Sequence, residues 1–320
     1  MGSEMCIRDR AMRRCEVFPK GRHQFSMLYD GLTVANWNWD PSEPRPYFYP
    51  LIGPSGSELT RVGHPGAPNH DHHRSVWFAH AKVMGMDFWS DLTDARIRQR
   101  EWIAIHDGDD WGGFSVLLDW VDGHNPAPLM TQRVTAILHP DEDRQYQLEL
   151  QLDLEAENGS VELMTSNFGI LAIRVAKSIS AYFGQGQIHC SEGRVGEEQI
   201  FGKPARWMDY SGSVMTGLRE ERTENPEGLT YFDHPDNPSY PSKWHVREDG
   251  WMGASLCRDQ GIVMDAGQVL TLRYLIDVHR NLYDRKRAER IAEGFASSLS
   301  WQVERSTKKH THAEIFHGAR

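Results

Sequence analysis

The stretch Gln145–Glu155, QYQLELQLDLE, constrains the fold more than any other part of the sequence. Apolar residues stand at every second position from 146 to 154, and polar residues stand between them. Because successive side chains of a strand point to opposite faces, the alternation predicts a long strand with one buried and one hydrated face. The same alternation occurs in Val269–Val278, after a turn at Ala266–Gln268.

Shorter strand candidates are separated by clusters of Gly, Asp, Asn and Pro. They lie at 101–106, 115–121, 131–138 and 161–166. Tyr283–Leu299 carries the one convincing helical pattern, with apolar residues on a single stripe. Many strands joined by turns, with one late helix, predict an all-β fold, a large antiparallel β-sandwich with one C-terminal helix.

We expect this sandwich to form one domain over residues 11–320. The segment EMCIRDR at Glu4–Arg10 looks like the translation of a sequencing adapter. We therefore interpret residues 1–10 as a non-native segment.

Charge and composition narrow the class of partner. The net charge is −10, and no stripe of basic residues interleaved with aromatics occurs, which argues against nucleic acid. No apolar run approaches the roughly 18–20 residues of a membrane helix, so we expect a soluble protein with no transmembrane segment. Four cysteines without regular spacing favour free thiols and a cytoplasmic location. Eleven tryptophans favour a sugar or oligosaccharide as the partner; the sequence leaves the oligomeric state open.

A polar motif, NHDHHRSVWFAH, occupies residues 69–80. If it were extended, His70 and His72 would share one face, and two imidazoles so placed can ligate a divalent metal when further ligands join them. The alternative is that these side chains cap a turn and bond to backbone. The pair His73 and Arg74 favours acid–base chemistry, with the imidazole as base and the guanidinium beside a developing oxyanion.

A second motif at 232–249 combines polar groups with three prolines that stiffen the chain. Its candidate substrate-binding residues are His234, Asn237, Trp244 and Arg247, and His245 is a candidate catalytic residue. Alternation in this motif predicts that His245 and Arg247 share a face opposite Trp244. A proline-rich surface loop with a buried tryptophan is the other interpretation.

The third candidate is ARWMDYSG at 205–212, where Asp209 and Tyr210 have the groups to bind sugar hydroxyls. A buried tryptophan beside a polar turn explains that stretch equally well. The motifs GxGxxG, GxxxxGK[ST], GxSxG and HExxH do not occur. Nucleotide-dependent, serine-hydrolase and HExxH-type zinc chemistry are therefore disfavoured.

Five segments together resemble, in this order, the bacterial family labelled methane oxygenase PmoA. They are RPYFYPLIGPSG (45–56), NHDHHRSVWFAHAKVMGMDFW (69–89), ARWMDYSG (205–212), FDHPDNPSYPSKWHVREDG (232–250) and AGQVLTLRYLIDVH (266–279). The resemblance runs from about Arg45 to Phe295. Membrane-bound methane oxidation does not follow from it, because the sequence has no spanning segment. Members of that family sit near sugar-oxidising enzymes, which implies a role in carbohydrate catabolism.

The last segment also resembles the end of a galactose-mutarotase-like supersandwich. That resemblance implies one cleft lined by His73, Arg74, His80, His234, His245 and Arg247. We therefore expect a carbohydrate-active enzyme of lyase, epimerase or hydrolase type that acts on a sugar or keto-sugar without a cofactor. Its catalytic residues would be His73, Arg74 and His245. Two alternatives are a non-catalytic carbohydrate-binding sandwich and a metal-dependent oxygenase that uses His70 and His72.

Overall fold

The computed structural model describes residues 14–64, 66, 70–218 and 221–318. The segment interpreted as adapter-derived, 1–10, lies outside the described residues.

Nearly all regular structure is β-strand. In chain order the strands are β1 (Cys15–Lys20), β2 (Gln24–Tyr29), β3 (Leu32–Asn38), β4 (Tyr47–Leu51), β5 (Val76–His80), β6 (Arg96–His106), β7 (Gly112–Val121), β8 (Met130–Pro140), β9 (Tyr146–Glu155), β10 (Val161–Leu163), β11 (Gly169–Arg174), β12 (Gln187–Cys190), β13 (Trp207–Thr216), β14 (Thr223–Asp233), β15 (Lys243–Arg247), β16 (Trp251–Ser255), β17 (Ile262–Met264), β18 (Val269–Arg280), β19 (Trp301–Arg305) and β20 (Ala313–His317). The helices are α1 (Glu197–Ile200) and α2 (Arg285–Ser297).

The strands form two large antiparallel sheets of eight strands each. The first has the order β1-β2-β3-β4-β5-β11-β16-β15, and the second has the order β12-β13-β14-β18-β9-β8-β7-β6. Two antiparallel sheets of two strands each, β10 with β17 and β19 with β20, complete the structure. The prediction of an all-β antiparallel sandwich with a C-terminal helix is confirmed; the four-residue α1 was not predicted. Among the described helices, none is long and apolar enough to cross a membrane.

The alternation in β9 is confirmed on one face and wrong on the other. Its apolar residues join the core between the sheets, as the pattern predicts. The opposite face is not hydrated, because Glu149, Gln151 and Asp153 are almost completely buried. Gln151 accepts from the backbone N–H of Trp301 at 2.8 Å, and Glu149 pairs with Arg273 at 2.8 Å. Trp301, in the segment after β18, covers this face at Gln151. Hydrogen bonds from Trp301 and from Arg273 of β18 satisfy the buried polar groups.

In the first sheet, one face packs into the core and the other carries a cavity. Val76 and Phe78 of β5 belong to the main core, whereas Trp77 belongs to a separate cluster on the opposite face. The pairing register aligns Trp77 with Ala172 of β11, Ala172 with Gly253 of β16, and Gly253 with His245 of β15. This register places His245, from the second motif, on the same face of the sheet as Trp77.

Candidate functional site

A cavity of about 480 Å³ lies on this outer face of the first sheet. Its walls combine three large aromatic side chains with imidazole, guanidinium and carboxylate groups. They are His70, His72, His73, Trp89, Phe168, His245, Arg247, Asp249 and Trp251. The motifs at 69–80 and 232–249 therefore meet at one cavity, although only some of their residues reach it.

Two kinds of backbone hold the cavity residues. His245 and Arg247 lie on β15, where alternation places them opposite the buried Trp244, as the sequence predicts. The residues from 70 to 73 instead form a turn, in which the His73 N–H donates to the His70 carbonyl at 3.1 Å. The extended geometry that would put His70 and His72 on one strand face is therefore absent from this turn.

His73 stands at the centre of the cavity wall. Its ring stacks on Trp77 and on Trp251, with centroids 5.2 and 5.4 Å away, and the residue is only 4% exposed. Within the described residues, Nδ1 of this ring is buried without a hydrogen-bond partner. Burial lowers the pKa of His73 far below its ordinary value, and the neighbouring His72 lowers it further. The imidazole is neutral at physiological pH.

His245 is held by aromatic rings on several sides. Its ring centroid lies 3.8 Å from that of Trp251, 4.9 Å from Phe201 and 5.1 Å from Phe168. Both ring nitrogens are buried and make no hydrogen bond of good geometry to the described residues. Burial lowers the pKa of His245 to about 3, and the cation of Arg247 acts in the same direction. The Asn167 backbone acts on the pKa in the opposite direction. His245 is thus a second neutral imidazole with a ring nitrogen available to a ligand.

Asp249 supplies the cavity's carboxylate and is fixed by an arginine. Arg174 donates to both of its oxygens, at 2.8 and 3.1 Å. Arg61 donates to the Asp249 backbone carbonyl at 2.7 Å, and His64 Nε2 lies 3.4 Å from Asp249 Oδ2. The ligating atoms of His64, His70 and Asp249 all lie within 4.8 Å of one another. These three residues form the one described group in which histidine, cysteine or acidic side chains could share a metal.

Arg247 stands at the rim of the cavity. Its guanidinium pairs with Glu197 of α1 at 2.6 Å and lies 4.8 Å from the centre of the Phe201 ring. About half of the side chain is exposed (48%), so the group can still reach a ligand that enters the cavity.

Arg74 and His80 lie apart from the cavity lining. Arg74 pairs with Glu43 at 2.8 Å and with Asp91 at 2.6 Å, so its charge is already matched. His80 is completely buried, and its Nε2 lies 2.8 Å from the carbonyl oxygen of Met164. Strand alternation points His80 to the face opposite Trp77, which is why it does not join His73. The expectation that Arg74 and His80 line the same cleft as His73 therefore disagrees with their positions.

Trp244 and Tyr210 support the site from beneath rather than line it. Trp244 is buried in the core, and its indole N–H donates to the Ala205 carbonyl at 2.8 Å. The Tyr210 hydroxyl lies 2.9 and 3.0 Å from the carbonyls of Arg247 and Glu248. It thereby helps to hold the chain between β15 and β16, which carries Asp249.

Asp209 belongs to the second sheet, where it bonds to Thr230 at 2.7 Å and to His279 at 2.9 Å. Its hydrogen bonds are internal to that sheet. The structure gives Asp209 a buried structural role and places it outside the cavity lining.

His234 and Asn237 surround Arg273. His234 Nε2 lies 3.0 Å from the carbonyl of Phe295, and the Asn237 amide donates to Asp233 and to the Arg273 carbonyl. The prolines of this loop therefore stiffen a buried polar network beside α2, and neither residue reaches the cavity.

Sequence reasoning missed several cavity residues. Trp89, Phe168 and Trp251 supply the aromatic walls, and Asp249 with its neighbour His64 supplies the polar corner. Trp89 lies in the segment 69–89 and Asp249 in the motif 232–249, but no spacing rule identifies either as a cavity residue. His64 and Phe168 stand in unremarkable sequence and reach the cavity only through the fold.

Fold and site define a class, a β-sandwich protein with an aromatic, histidine-lined cavity on the outer face of one sheet. Residues 24–293 match the model of a family of unknown function, DUF6807, and the chain belongs to that family. No curated protein matches the sequence. The resemblance to the family labelled methane oxygenase PmoA stays a prediction.

Solved structures show distant similarity. A GalM/aldose epimerase homologue from C. elegans is 7% identical over 83% of this chain and 99% of its own, with a TM-score of 0.34. A putative kojibiose phosphorylase from the human microbiome is 7% identical over 88% of this chain and 32% of its own, with a TM-score of 0.33. A 4-alpha-glucanotransferase from Thermococcus litoralis is 8% identical over 85% of this chain and 40% of its own, with a TM-score of 0.27. Similarity at these TM-scores carries no conclusion about the activity of this chain.

Proposed function

We propose that the protein is a carbohydrate-active enzyme that binds a sugar or keto-sugar in this cavity and acts on it through His73 and His245. The observation that carries the proposal is the combination of aromatic walls with two buried imidazoles that each have a ring nitrogen without a hydrogen-bond partner among the described residues. Buried polar groups in proteins are nearly always paired, so unpaired ones that face a cavity favour a polar ligand.

The shape and lining of the cavity suit a sugar ring. Its volume falls in the range of roughly 300–1,000 Å³ that small-ligand sites occupy. Trp89, Phe168 and Trp251 offer apolar faces for the C–H side of a pyranose. The hydroxyl groups on the ring edge would then meet the imidazoles and Asp249.

The two histidines suit a ligand that contains a carbonyl group. A neutral imidazole donates from one ring nitrogen and accepts at the other. It can polarise a carbonyl oxygen without bringing a net charge into the cavity, a role that neutral histidine fills in known isomerase chemistry. Because burial keeps His73 and His245 neutral, we assign them to recognition of carbonyl and hydroxyl groups and to polarisation of that carbonyl.

The carboxylates favour lyase or epimerase chemistry over hydrolysis. Glycoside hydrolysis typically uses two carboxylates that flank the scissile bond. Asp249 is the single carboxylate among the described lining residues, and Arg174 holds both of its oxygens. Arg74 has no place in this proposal, because Glu43 and Asp91 occupy its guanidinium.

A panel of free aldoses, ketoses, methyl glycosides and keto-sugar glycosides tests the proposal. Binding is measured by saturation-transfer NMR, and chemistry by deuterium uptake at the carbon beside the carbonyl and by product formation. We expect His73→Ala and His245→Ala to abolish the chemistry, with binding weakened but still detectable through the aromatic walls. The control is His317→Ala, which removes an exposed histidine of β20.

Two results would contradict the proposal in different ways. Binding without chemistry across the whole panel would support the non-catalytic carbohydrate-binding alternative. Absence of binding to every sugar would remove the sugar assignment altogether.

A further inference from the structure

We propose that His64, His70 and Asp249 form a binding site for a first-row divalent transition metal, such as Zn²⁺ or Fe²⁺, at one corner of the cavity. The donor set is two imidazoles and one carboxylate, with ligating atoms that all lie within 4.8 Å of one another. Three such protein ligands, with the remaining positions open, recur in catalytic zinc sites and in mononuclear iron sites.

The spacing is close to what coordination needs. Two ligands about 2.1 Å from a tetrahedral zinc ion lie about 3.4 Å apart. His64 Nε2 and Asp249 Oδ2 are separated by 3.4 Å, a distance too long for a good hydrogen bond between them. The ligating atom of His70 lies within 4.8 Å of the other two, so it must approach each of them by at most about 1.4 Å to reach this spacing.

Burial provides the second, independent observation. The His64 side chain, whose Nε2 faces Asp249, is only 8% exposed. Nδ1 of His70, whose ring lies 5.5 Å from that of His64, is buried without a hydrogen-bond partner among the described residues. An unpaired imidazole nitrogen of this kind costs free energy in the absence of a ligand, and a bound cation would recruit it.

The neighbouring charges select the kind of metal. Arg174 holds Asp249 by two hydrogen bonds, and Arg61 contacts the same residue through its backbone carbonyl. The two guanidinium groups weaken the attraction of any dication. Mg²⁺ and Ca²⁺ depend on several oxygen ligands, so they have little to gain here. A metal that bonds strongly to imidazole nitrogen is favoured.

The site differs from the one that the motif suggests. His72 lies beside His70 in sequence, with ring centroids 6.2 Å apart, but it does not belong to the group. His64 and Asp249, which are distant in sequence, take the places of the second and third ligands. Because His70 and Asp249 line the cavity, a metal held there would be reachable by a ligand that enters it.

Metal titration of the full chain tests the inference without any sugar, so it stands or falls independently of the proposed function. Protein freed of metal by a chelator is titrated calorimetrically with Zn²⁺ and with Mg²⁺, and Co²⁺ absorption reports the coordination. We expect one equivalent of Zn²⁺ and of Co²⁺ to bind, and no Mg²⁺. His64→Ala and His70→Ala should each weaken Zn²⁺ binding by more than about tenfold, the lower end of what loss of a supporting contact alone typically costs.

His72→Ala is the matched control, because it removes a neighbouring cavity histidine and leaves the proposed ligands in place. Loss of Zn²⁺ binding in His72→Ala with retention in His64→Ala would overturn the assignment, and so would the absence of a stoichiometric site in the unaltered chain. Asp249→Asn adds a third test, and because Arg174 depends on that carboxylate, its thermal unfolding is measured alongside. If Asp249→Asn does not fold, the two histidine variants still decide the outcome.

Discussion

Replacement of His245 by phenylalanine should make the protein less sensitive to acid. Burial lowers the pKa of His245 to about 3 in the folded state, from an ordinary value of 6.5. The unfolded chain therefore binds a proton at His245 more readily than the folded chain does. The contribution of this residue to stability is fully present above pH 6.5, and it is lost progressively as the pH falls from there towards 3.

The expected magnitude follows from that difference in pKa. Between the two pKa values the free energy of unfolding falls by about 1.4 kcal/mol for each pH unit. Lowering the pH from about 7 to about 4.5 should therefore cost about 2.5 kcal/mol through His245 alone. Phenylalanine suits the position, because the ring packs among Phe168, Phe201 and Trp251.

Urea unfolding at the two pH values measures this effect. Wild type should lose about 2.5 kcal/mol more than His245→Phe over the interval, while other groups contribute equally to both proteins. Val246→Ala is the control, since it alters a buried apolar neighbour and removes no titrating group. If wild type and His245→Phe lose the same free energy, His245 is not held neutral by burial. Its assigned role as a neutral imidazole would then be wrong.

Two further predictions separate the cavity from its surroundings. Gly253→Leu should abolish sugar binding, because Gly253 lies between Ala172 and His245 and the carbons beyond its added Cβ would displace the Trp251 ring, 3.6 Å from that Cβ. Binding NMR measures the loss and circular dichroism checks the fold, with Gly253→Ala as the mild control, since its Cβ alone meets nothing nearer than 3.5 Å. Undiminished binding in a folded leucine variant would place the ligand elsewhere. Arg74→Met should leave turnover of the folded enzyme unchanged. It should lower the free energy of unfolding by about 1–3 kcal/mol, because the charged hydrogen bonds to Glu43 and Asp91 are lost. A large fall in turnover would restore the catalytic role that the sequence suggested.

The sequence predicts the strands better than it predicts their surroundings. The alternation in β9 and β18 reports the side that faces the core, because that side is set by local chain geometry. For the other side of β9, the alternation wrongly predicts a hydrated face. Gln151 is buried there by Trp301, a residue about 150 positions further along the chain. No local pattern encodes a cover that arrives from so far away.

The candidate site shows the same difference between residues with a local sequence signal and residues placed by the fold. His73 and His245 are found because motif chemistry and strand alternation are local signals. His80 is wrongly placed with His73 because His73 lies in a turn before β5, so strand alternation does not relate the two side chains. Arg74 is wrongly assigned because Asp91 pairs with it after folding. His64 cannot be identified as a site residue from the sequence, because a lone histidine suggests no metal site until the fold places it beside Asp249.

The aromatic wall of the cavity depends on sheet register. Along one row of the first sheet, the large Trp77 is followed by the small Ala172 and Gly253 and then by His245. The two small residues leave room for the Trp251 ring, one atom of which lies 3.6 Å from the position of a Cβ on Gly253. His245 is placed on this row by strand pairing, whereas His70 belongs to a turn. The two histidines line one cavity because strand register and this turn bring them there, and neither spacing is encoded in the local sequence.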